Sequence, residues 1–414
     1  MSTMRWTSEP RTFPTSGYEL IDAATKIEEE TLPSYTPESY YPVEQGEIMN
    51  DRYQVISKIG YGSSSTVWLA RDLVYILGRE TEHEIGVYNH IQSIETDHPG
   101  QKNIRKLLDH FFLQGPNGRH ACLVHELLGM SMLELDTIGR NLGVIDPVPR
   151  LDRAKPLIRR VLYALDFLHQ GAQLIHTDLQ MRNLLLPAAS PARMSTYEEN
   201  VIKYPLSRKI LKDRTIYPTR LFPTGRGLPV LCDFGEARFG DQHNCGMIMP
   251  DFHRAPEVIL GFPGWDYKVD SWGVGMLAWE FISTRLLITN HRRDGLWDDG
   301  AHVAELVALL GHPSREFIRR GTHGHIFWDD NGNWTGLVTI PDRSLEQAAA
   351  DIEGEDPEDF LRWLRRALQW DPKDRPTILD LFMDPWLMKG MRVRRDDPAL
   401  KDYPDIVGVV KIID

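Results

Sequence analysis

The sequence predicts an α+β chain built as a small strand-rich unit followed by a larger helical one. Three observations carry this: β-favouring runs cluster between Arg52 and Val124, apolar residues recur at three-four spacing from Leu157 onward, and 414 residues at 42% hydrophobic are enough for more than one core. Residues 1–49 hold prolines at 10, 14, 33, 37 and 42 without helical or strand period and read as an extended arm. Tyr53, Val55, Ile56 and Ile59 then lead into Gly60-Tyr61-Gly62, and Thr66-Val67-Trp68-Leu69 resumes β-favouring residues, the signature of a hairpin. Residues 80–91 read as a helix with Ile85, Tyr88 and Ile91 on one face. Cys122-Leu123-Val124 reads as a short buried strand, and the small unit, 50–128, ends near Leu128.

Leu157, Ile158, Val161, Leu162, Leu165 and Leu168 form the stripe of a long helix early in the second unit, 129–388, which gains further helical patterns at 269–282, 303–310 and 360–368. Trp272 and Trp279 read as core residues of one such helix. Residues 187–227, rich in Pro, Ser, Arg and Lys, read as a surface excursion, and 389–414 as a polar tail whose Arg392-Val393-Arg394-Arg395 cluster is solvated rather than a nuclear signal.

Lys+Arg 47 against Asp+Glu 59 gives a net charge of −12, which argues against direct nucleic-acid or anionic-membrane binding and suits a basic protein partner. Cys122, Cys232 and Cys245 form no C-x-x-C pair, so neither a disulfide framework nor a thiolate zinc site is expected, and a reducing compartment is. No apolar run reaches the roughly eighteen residues of a spanning helix, and residues 1–25 lack the pattern of a secretory signal. The expectation is a monomer of the cytoplasm, the nucleus or both. His83 and His90 lie seven apart without a third ligand at metal spacing and read as packed or solvated.

The chemistry lies in three separated stretches. Residues 60–67 place Gly60 and Gly62 between strands, where the missing side chains let the backbone approach phosphates, although Ser65 stands where a G-x-G-x-x-G pattern has its last glycine and the segment alone also fits an ordinary turn. His176-Thr177-Asp178-Leu179-Gln180-Met181-Arg182-Asn183 puts a carboxylate and an amide five residues apart on a loop, where they fit a proton acceptor and a metal ligand, though the segment alone also fits an Asp and Asn satisfying a turn. Val230-Leu231-Cys232-Asp233-Phe234-Gly235 sets a second carboxylate at the end of a buried strand, where it can hold Mg²⁺.

With Ala255-Pro256-Glu257, Asp270-Ser271-Trp272-Gly273 and Arg375 following in order, the series resembles the eukaryotic protein kinases over residues 50–388. Tyr40-Tyr41-Pro42-Val43, Arg52-Tyr53-Gln54-Val55, Ser65-Thr66-Val67-Trp68-Leu69, His176-Thr177-Asp178 and the place of the 187–227 insertion are similar to the kinases of serine/arginine-rich splicing factors and their fungal relatives. The resemblance implies a bilobal protein-kinase-like fold, a small antiparallel β lobe plus a larger helical lobe, with ATP and Mg²⁺ in the cleft. Ile59, Gly60, Gly62, Ser65, Val67 and Leu185 would enclose the nucleotide, Glu126 and Leu128 would meet adenine through backbone groups, and Glu84 would be the helix glutamate. Asp178 would orient or deprotonate a substrate hydroxyl, Asn183 and Asp233 would hold the metal, and Gln180 would stand where the family carries a lysine. A Glu257–Arg375 ion pair and Asp270 beneath the catalytic loop would be structural. Thr177, in place of the family's usual arginine, implies an activation segment set without phosphorylation. The implied substrate is a Ser/Arg-rich protein.

One part is missing. The third-strand lysine that pairs with the helix glutamate has no counterpart, since no lysine occurs between Lys58 and Lys102, and seventeen positions separate Val67 from Glu84, roughly ten fewer than the family pattern. Val74-Tyr75-Ile76-Leu77 reads as a remnant of that strand. A true deletion or a misplaced exon boundary would each produce the gap. Lys58, expected to face solvent, and Arg71 are poor substitutes. Two readings stay open: a serine/threonine kinase with impaired activity, or a pseudokinase acting as a binding scaffold. A small-molecule phosphotransferase is disfavoured by Ala255-Pro256-Glu257.

Overall fold

The computed structural model describes residues 9–63, 65–73, 83–143, 151–283, 285–289 and 298–413. In chain order run β1 (Ile48–Met49), β2 (Tyr53–Tyr61), β3 (Thr66–Asp72), α1 (His83–Ser93), β4 (Leu107–Gly115), β5 (Gly118–His125), β6 (Leu128–Ser131), α2 (Met132–Asn141), α3 (Leu151–Asp166), β7 (Leu174–Ile175), β8 (Leu184–Pro187), α4 (Pro191–Lys203), β9 (Lys209–Ile210), β10 (Thr215–Ile216), β11 (Val230–Leu231) and β12 (Arg238–Phe239). Beyond them lie α5 (Pro256–Ile259), α6 (Lys268–Ile282), α7 (Asp299–Leu310), a helix over Pro357–Ala367, and the parallel pair β13 (Arg392–Arg394) and β14 (Lys411–Ile413). The chain divides into two compact units, one drawn from 1–86, 106–130 and 186–227, the other from 87–105, 131–185 and 228–414. The start of the expected 80–91 helix and the expected strand remnant at 74–77 lie outside the described residues.

In the first unit β1, β2 and β3 form an antiparallel sheet in that order. Bulges interrupt the β2–β3 ladder between Val55 and Ser57 and between Lys58 and Gly60, and Gly62 N–H donates to Ser65 O at 2.8 Å across the turn. β4 and β5 make a separate hairpin. Tyr53 of β2 and the preceding Arg52 reach Asp109 of β4 at 2.6 and 2.9 Å, and the Tyr53 ring stacks on Phe111. The expected buried strand at Cys122, Leu123 and Val124 is half-buried in β5, because among the described residues β5 pairs with β4 alone and the two-stranded ribbon leaves side chains partly uncovered.

The insertion is a folded part of this unit rather than a surface excursion. Met194, Tyr197 and Val201 recur on one stripe of α4 and bury with Phe222 against Ile56 and Leu69 of the sheet, with Ile59 alongside. The Tyr197 hydroxyl meets Ser57 Oγ at 3.0 Å. That apolar stripe is masked in sequence by the surrounding Pro, Ser and basic residues, which is why composition alone misreads it. The arm docks here as well. Glu28 bonds Thr219, Glu30 bonds Lys209, and the Gln45 amide donates to Ile56 O. Lys58 does not face solvent: its ammonium is buried against Glu29 and Glu28 of the arm, because the bulged end of β2 turns it under the arm.

The second unit is organised by α3 and α6. The stripe Ile158, Val161, Leu162 and Leu165 is buried along α3. α6 is buried nearly all round, with Trp272 and Trp279 in the core as the sequence predicts. Glu257 and Arg375 form the expected ion pair, with both carboxylate oxygens 2.6–2.7 Å from the guanidinium. The remaining Arg375 donors reach the carbonyls of Gln369, Lys268 and Trp370, so all five N–H groups are used. Such a pair strands a charge when halved. We expect Glu257→Gln to lose about 3–5 kcal/mol of stability, measured as a lower urea midpoint at unchanged slope.

Candidate active site

The loop after β7 contains the predicted Asp178, Gln180 and Asn183, and the exit from β11 carries Asp233; all four belong to the second unit. β8 and β11 pair antiparallel, Leu185 opposite Val230 and Leu184 opposite Leu231, which brings Asn183 beside Cys232. Both backbone groups of Cys232 then bond the catalytic loop. Its N–H donates to Asn183 O at 2.9 Å, and its carbonyl lies 3.2 Å from His176 Nε2. Asp178 N–H points at His176 Nδ1 at 3.3 Å. The carbonyl only accepts and the amide only donates, so this network assigns His176 as the neutral ring protonated on Nε2. Neither His176 nor the Cys232 backbone stands out from sequence pattern as part of the site, although the H-x-D spacing signals the first.

The Asn183 amide nitrogen donates to Asp178 Oδ2 at 2.7 Å and to Asp178 O at 2.9 Å. With its N–H₂ committed, Asn183 offers Oδ1 as the ligand atom. Gln180 Nε2 lies 2.8 and 3.0 Å from the two Asp178 oxygens. Its donors are turned onto the carboxylate rather than outward. Asp233 is exposed, with φ 67°, and accepts from Gly235 N–H at 3.2 Å. Phe234 is fully buried, edge-on to His176 and Tyr88. An exposed carboxylate and an amide oxygen, tied through adjacent backbone at Cys232, are a hard-oxygen donor set that fits a divalent cation of the Mg²⁺ kind.

Thr177 sets the loop's path. Its φ of 68° is a left-handed conformation that a β-branched residue adopts only under constraint. The constraint is Asp270 of α6, whose buried carboxylate accepts from His176 N–H at 2.8 Å and Thr177 N–H at 2.9 Å, with His169 Nε2 2.8 Å away. The Thr177 hydroxyl donates to Glu236 O at 2.8 Å, so it bonds directly to the segment after Asp233. Leu179 O lies 2.9 Å from His253 Nδ1, and Gly273 of α6 leaves room for the Leu179 side chain, since a Cβ there would stand 3.2 Å from it.

The other predicted residues fall on other elements. Ile59, Gly60, Gly62, Ser65 and Val67 belong to the β2–β3 hairpin of the first unit; Val67 is exposed and Ile59 half-buried against the α4 cluster. Glu126 N–H donates to Lys106 O, and its carboxylate accepts from Lys106 N–H. Leu128 begins β6, Leu185 lies in β8, and Glu84 sits half-buried in the first turn of α1. Neither substitute cation is available: Lys58 is held by Glu28 and Glu29, and Arg71 by Glu198 of α4.

Burial alone would push the Asp270 carboxyl up, but the hydrogen bond and charge of His169, with the backbone amide of His176, hold it below the usual carboxylate range. A folded-state value below the unfolded one contributes stability that is complete above the unfolded value and lost as pH falls through the folded one. Asp270→Asn should therefore cost about 3 kcal/mol near neutral pH. Wild type and variant should converge below about pH 4, in urea titrations across the acid range.

The protein kinase domain family matches residues 53–387. A serine/threonine protein kinase of Aspergillus fumigatus is 38% identical over 395 residues, covering 92% of this chain and 96% of its own. The serine/threonine-protein kinase SRPK of Physarum polycephalum is 27% identical over 87% of this chain and 91% of its own. The mouse SRSF protein kinase 3 is 36% identical over 172 residues, 38% of this chain and 30% of its own. With a loop that ties Asp178, Asn183 and Asp233 through one backbone, and with family similarity over most of its length, this chain belongs to the protein kinases and is related to the SRPK and SRSF kinases.

Proposed function

We propose that the protein is a serine/threonine kinase that transfers the γ-phosphate of ATP to Ser/Arg-rich protein substrates, at a rate limited by its missing third-strand lysine. The observation that supports this most is the Asp178–Asn183–Cys232 network, which aims a carboxylate and an amide oxygen without a cation of the chain's own. Protein kinases use ATP and a divalent metal, which when bound neutralises charge on the phosphate oxygens. Asn183 Oδ1 and the Asp233 carboxylate would hold that ion. Asp178, fixed by amide donors from Asn183 and Gln180, would accept the proton of a substrate serine as its oxygen bonds the γ-phosphorus and the bond to the β-phosphate oxygen breaks, releasing ADP. The glycine turn at 60–67 would cover the phosphates. A net charge of −12 favours arginine-dense substrates, and relatives named for SRPK and SRSF kinases point the same way. On this reading the protein acts as a monomer in the cytoplasm, the nucleus or both.

One observation favours the pseudokinase reading: Lys58 and Arg71, two cations of the described residues that could stand in for the absent lysine, are both held by carboxylates. Two experiments separate the readings. Wild type with ATP·Mg²⁺ should phosphorylate an Arg-Ser repeat peptide slowly and Asp178→Asn not at all; equal incorporation by both would end the enzymatic reading. Inserting a Tyr-Val-Ala-Leu-Lys stretch after Leu73 should raise the rate at least about tenfold, since one such preorganised cation is worth roughly a hundredfold to a thousandfold. No gain in initial rate would place the defect elsewhere.

A further inference from the structure

Tyr40 lies in the arm, outside the matched kinase domain, yet its side chain is buried and its hydroxyl stands 2.7 Å from Ser63 O and 3.0 Å from Gly62 O. Both carbonyls belong to the glycine turn. One proton serves both, with the shorter bond to Ser63 the stronger. The turn's own cross-strand bond, Gly62 N–H to Ser65 O, engages neither of those two carbonyls. Because a trans peptide aims its N–H opposite its C=O, turning the Gly62 carbonyl to the arm leaves the Ser63 N–H facing away from it.

The phenol is delivered by a segment fixed on both sides. Upstream, Glu29 and Glu28 grip Lys58 of β2, and the Tyr35 ring packs 5.2 Å from that of Tyr40. Downstream, the Gln45 side chain donates to Ile56 O, and Gly46 N–H donates to Val55 O. Tyr40 therefore sits between two attachments to the strand that leads into the turn. Burial, with Glu29 nearby, raises its phenol above the ordinary value, so the proton it donates stays in place through neutral pH.

We infer that Tyr40 is a positioning residue for the glycine turn: the arm holds the Gly62 and Ser63 peptides in the orientation in which the turn meets nucleotide phosphates. The inference rests on the kinase reading for its consequence, though not for its geometry. It gives the arm a function in ATP recognition rather than in substrate choice.

The test uses the full chain carrying Tyr40→Phe, which keeps the ring and removes the donor, with Tyr18→Phe as control, because the exposed Tyr18 hydroxyl bonds only within the arm at Thr15 O. Without nucleotide, amide exchange over residues 62–65 should quicken about fivefold in Tyr40→Phe, the size of one net hydrogen bond, and stay at the wild-type rate in Tyr18→Phe. With ATP and an Arg-Ser repeat peptide, KM for ATP should rise at least about threefold while kcat holds within about twofold, the split expected of a group that acts through binding. Unchanged exchange at 62–65 would overturn the inference. So would a rise of equal size throughout the first unit with kcat falling alongside, the result of a merely structural tyrosine. If wild type transfers no phosphate, the kinase reading fails and the exchange rates alone decide whether Tyr40 holds the turn.

Discussion

The buried carboxylate of Asp270 is the constraint on which the loop of residues 176–183 depends. It accepts two consecutive backbone amides, from His176 and Thr177, and so holds Thr177 in a left-handed conformation that would cost of order 1–3 kcal/mol unsupported. With Thr177 so turned, His176 lies against the Cys232 carbonyl and Asp178 N–H meets the His176 ring. Asp178 then faces Asn183 and Gln180. Each link is directional, so loss of the first would release the rest. The threonine that replaces the usual arginine spends its hydroxyl on Glu236 O, and the segment after Asp233 is thereby bonded to the catalytic loop through an uncharged group. A phosphate would have no cation to pair with at that position.

The same logic governs the first unit, where acids of the arm replace a lysine's usual partners. Lys58 is buried between Glu28 and Glu29, and Arg71 is matched to Glu198 from the insertion. Buried cations need such counter-charges, so drawing either side chain away to a phosphate would strand carboxylates. Among the described residues, neither Lys58 nor Arg71 is therefore free to stand in for the absent lysine. Arm and insertion complete the small unit instead, one by ion pairs and the other through the apolar stripe Met194, Tyr197 and Val201.

What was legible in the sequence follows from what each signal encodes. The α3 stripe, the α6 core and the Glu257–Arg375 pair were readable because apolar periodicity and ordered motifs act locally or in fixed sequence order. That Asp178 and Asn183 share one loop, and that Asp233 follows a buried strand, was readable for the same reason. The insertion was not, since its three apolar contacts on α4 are diluted by a basic, proline-rich composition. Lys58 was misjudged because β-bulges shift which face a residue takes, and a bulge leaves little trace in a strand pattern. The Cys232 backbone and the Tyr40 hydroxyl were invisible because a hydrogen bond to a carbonyl constrains the donor while leaving the acceptor's residue type free.

The electrostatics of the site follow from two substitutions acting together. Where the family carries a lysine after the catalytic aspartate, Gln180 turns its amide onto both Asp178 oxygens. Where it carries a third-strand lysine, the sequence has none. A neutral amide steers the carboxylate as a lysine would but adds no positive charge at the transferring phosphate. On the proposed reading, Asn183 and Asp233 would hold a metal that supplies positive charge, and any backbone N–H groups that meet the phosphates would add to it. Backbone donors carry only partial charge, and their worth depends on being aimed in advance. A kinase short of cations thus gains more than most from a rigid turn, which is why a hydroxyl supplied from outside the kinase domain has a physical reason to be there.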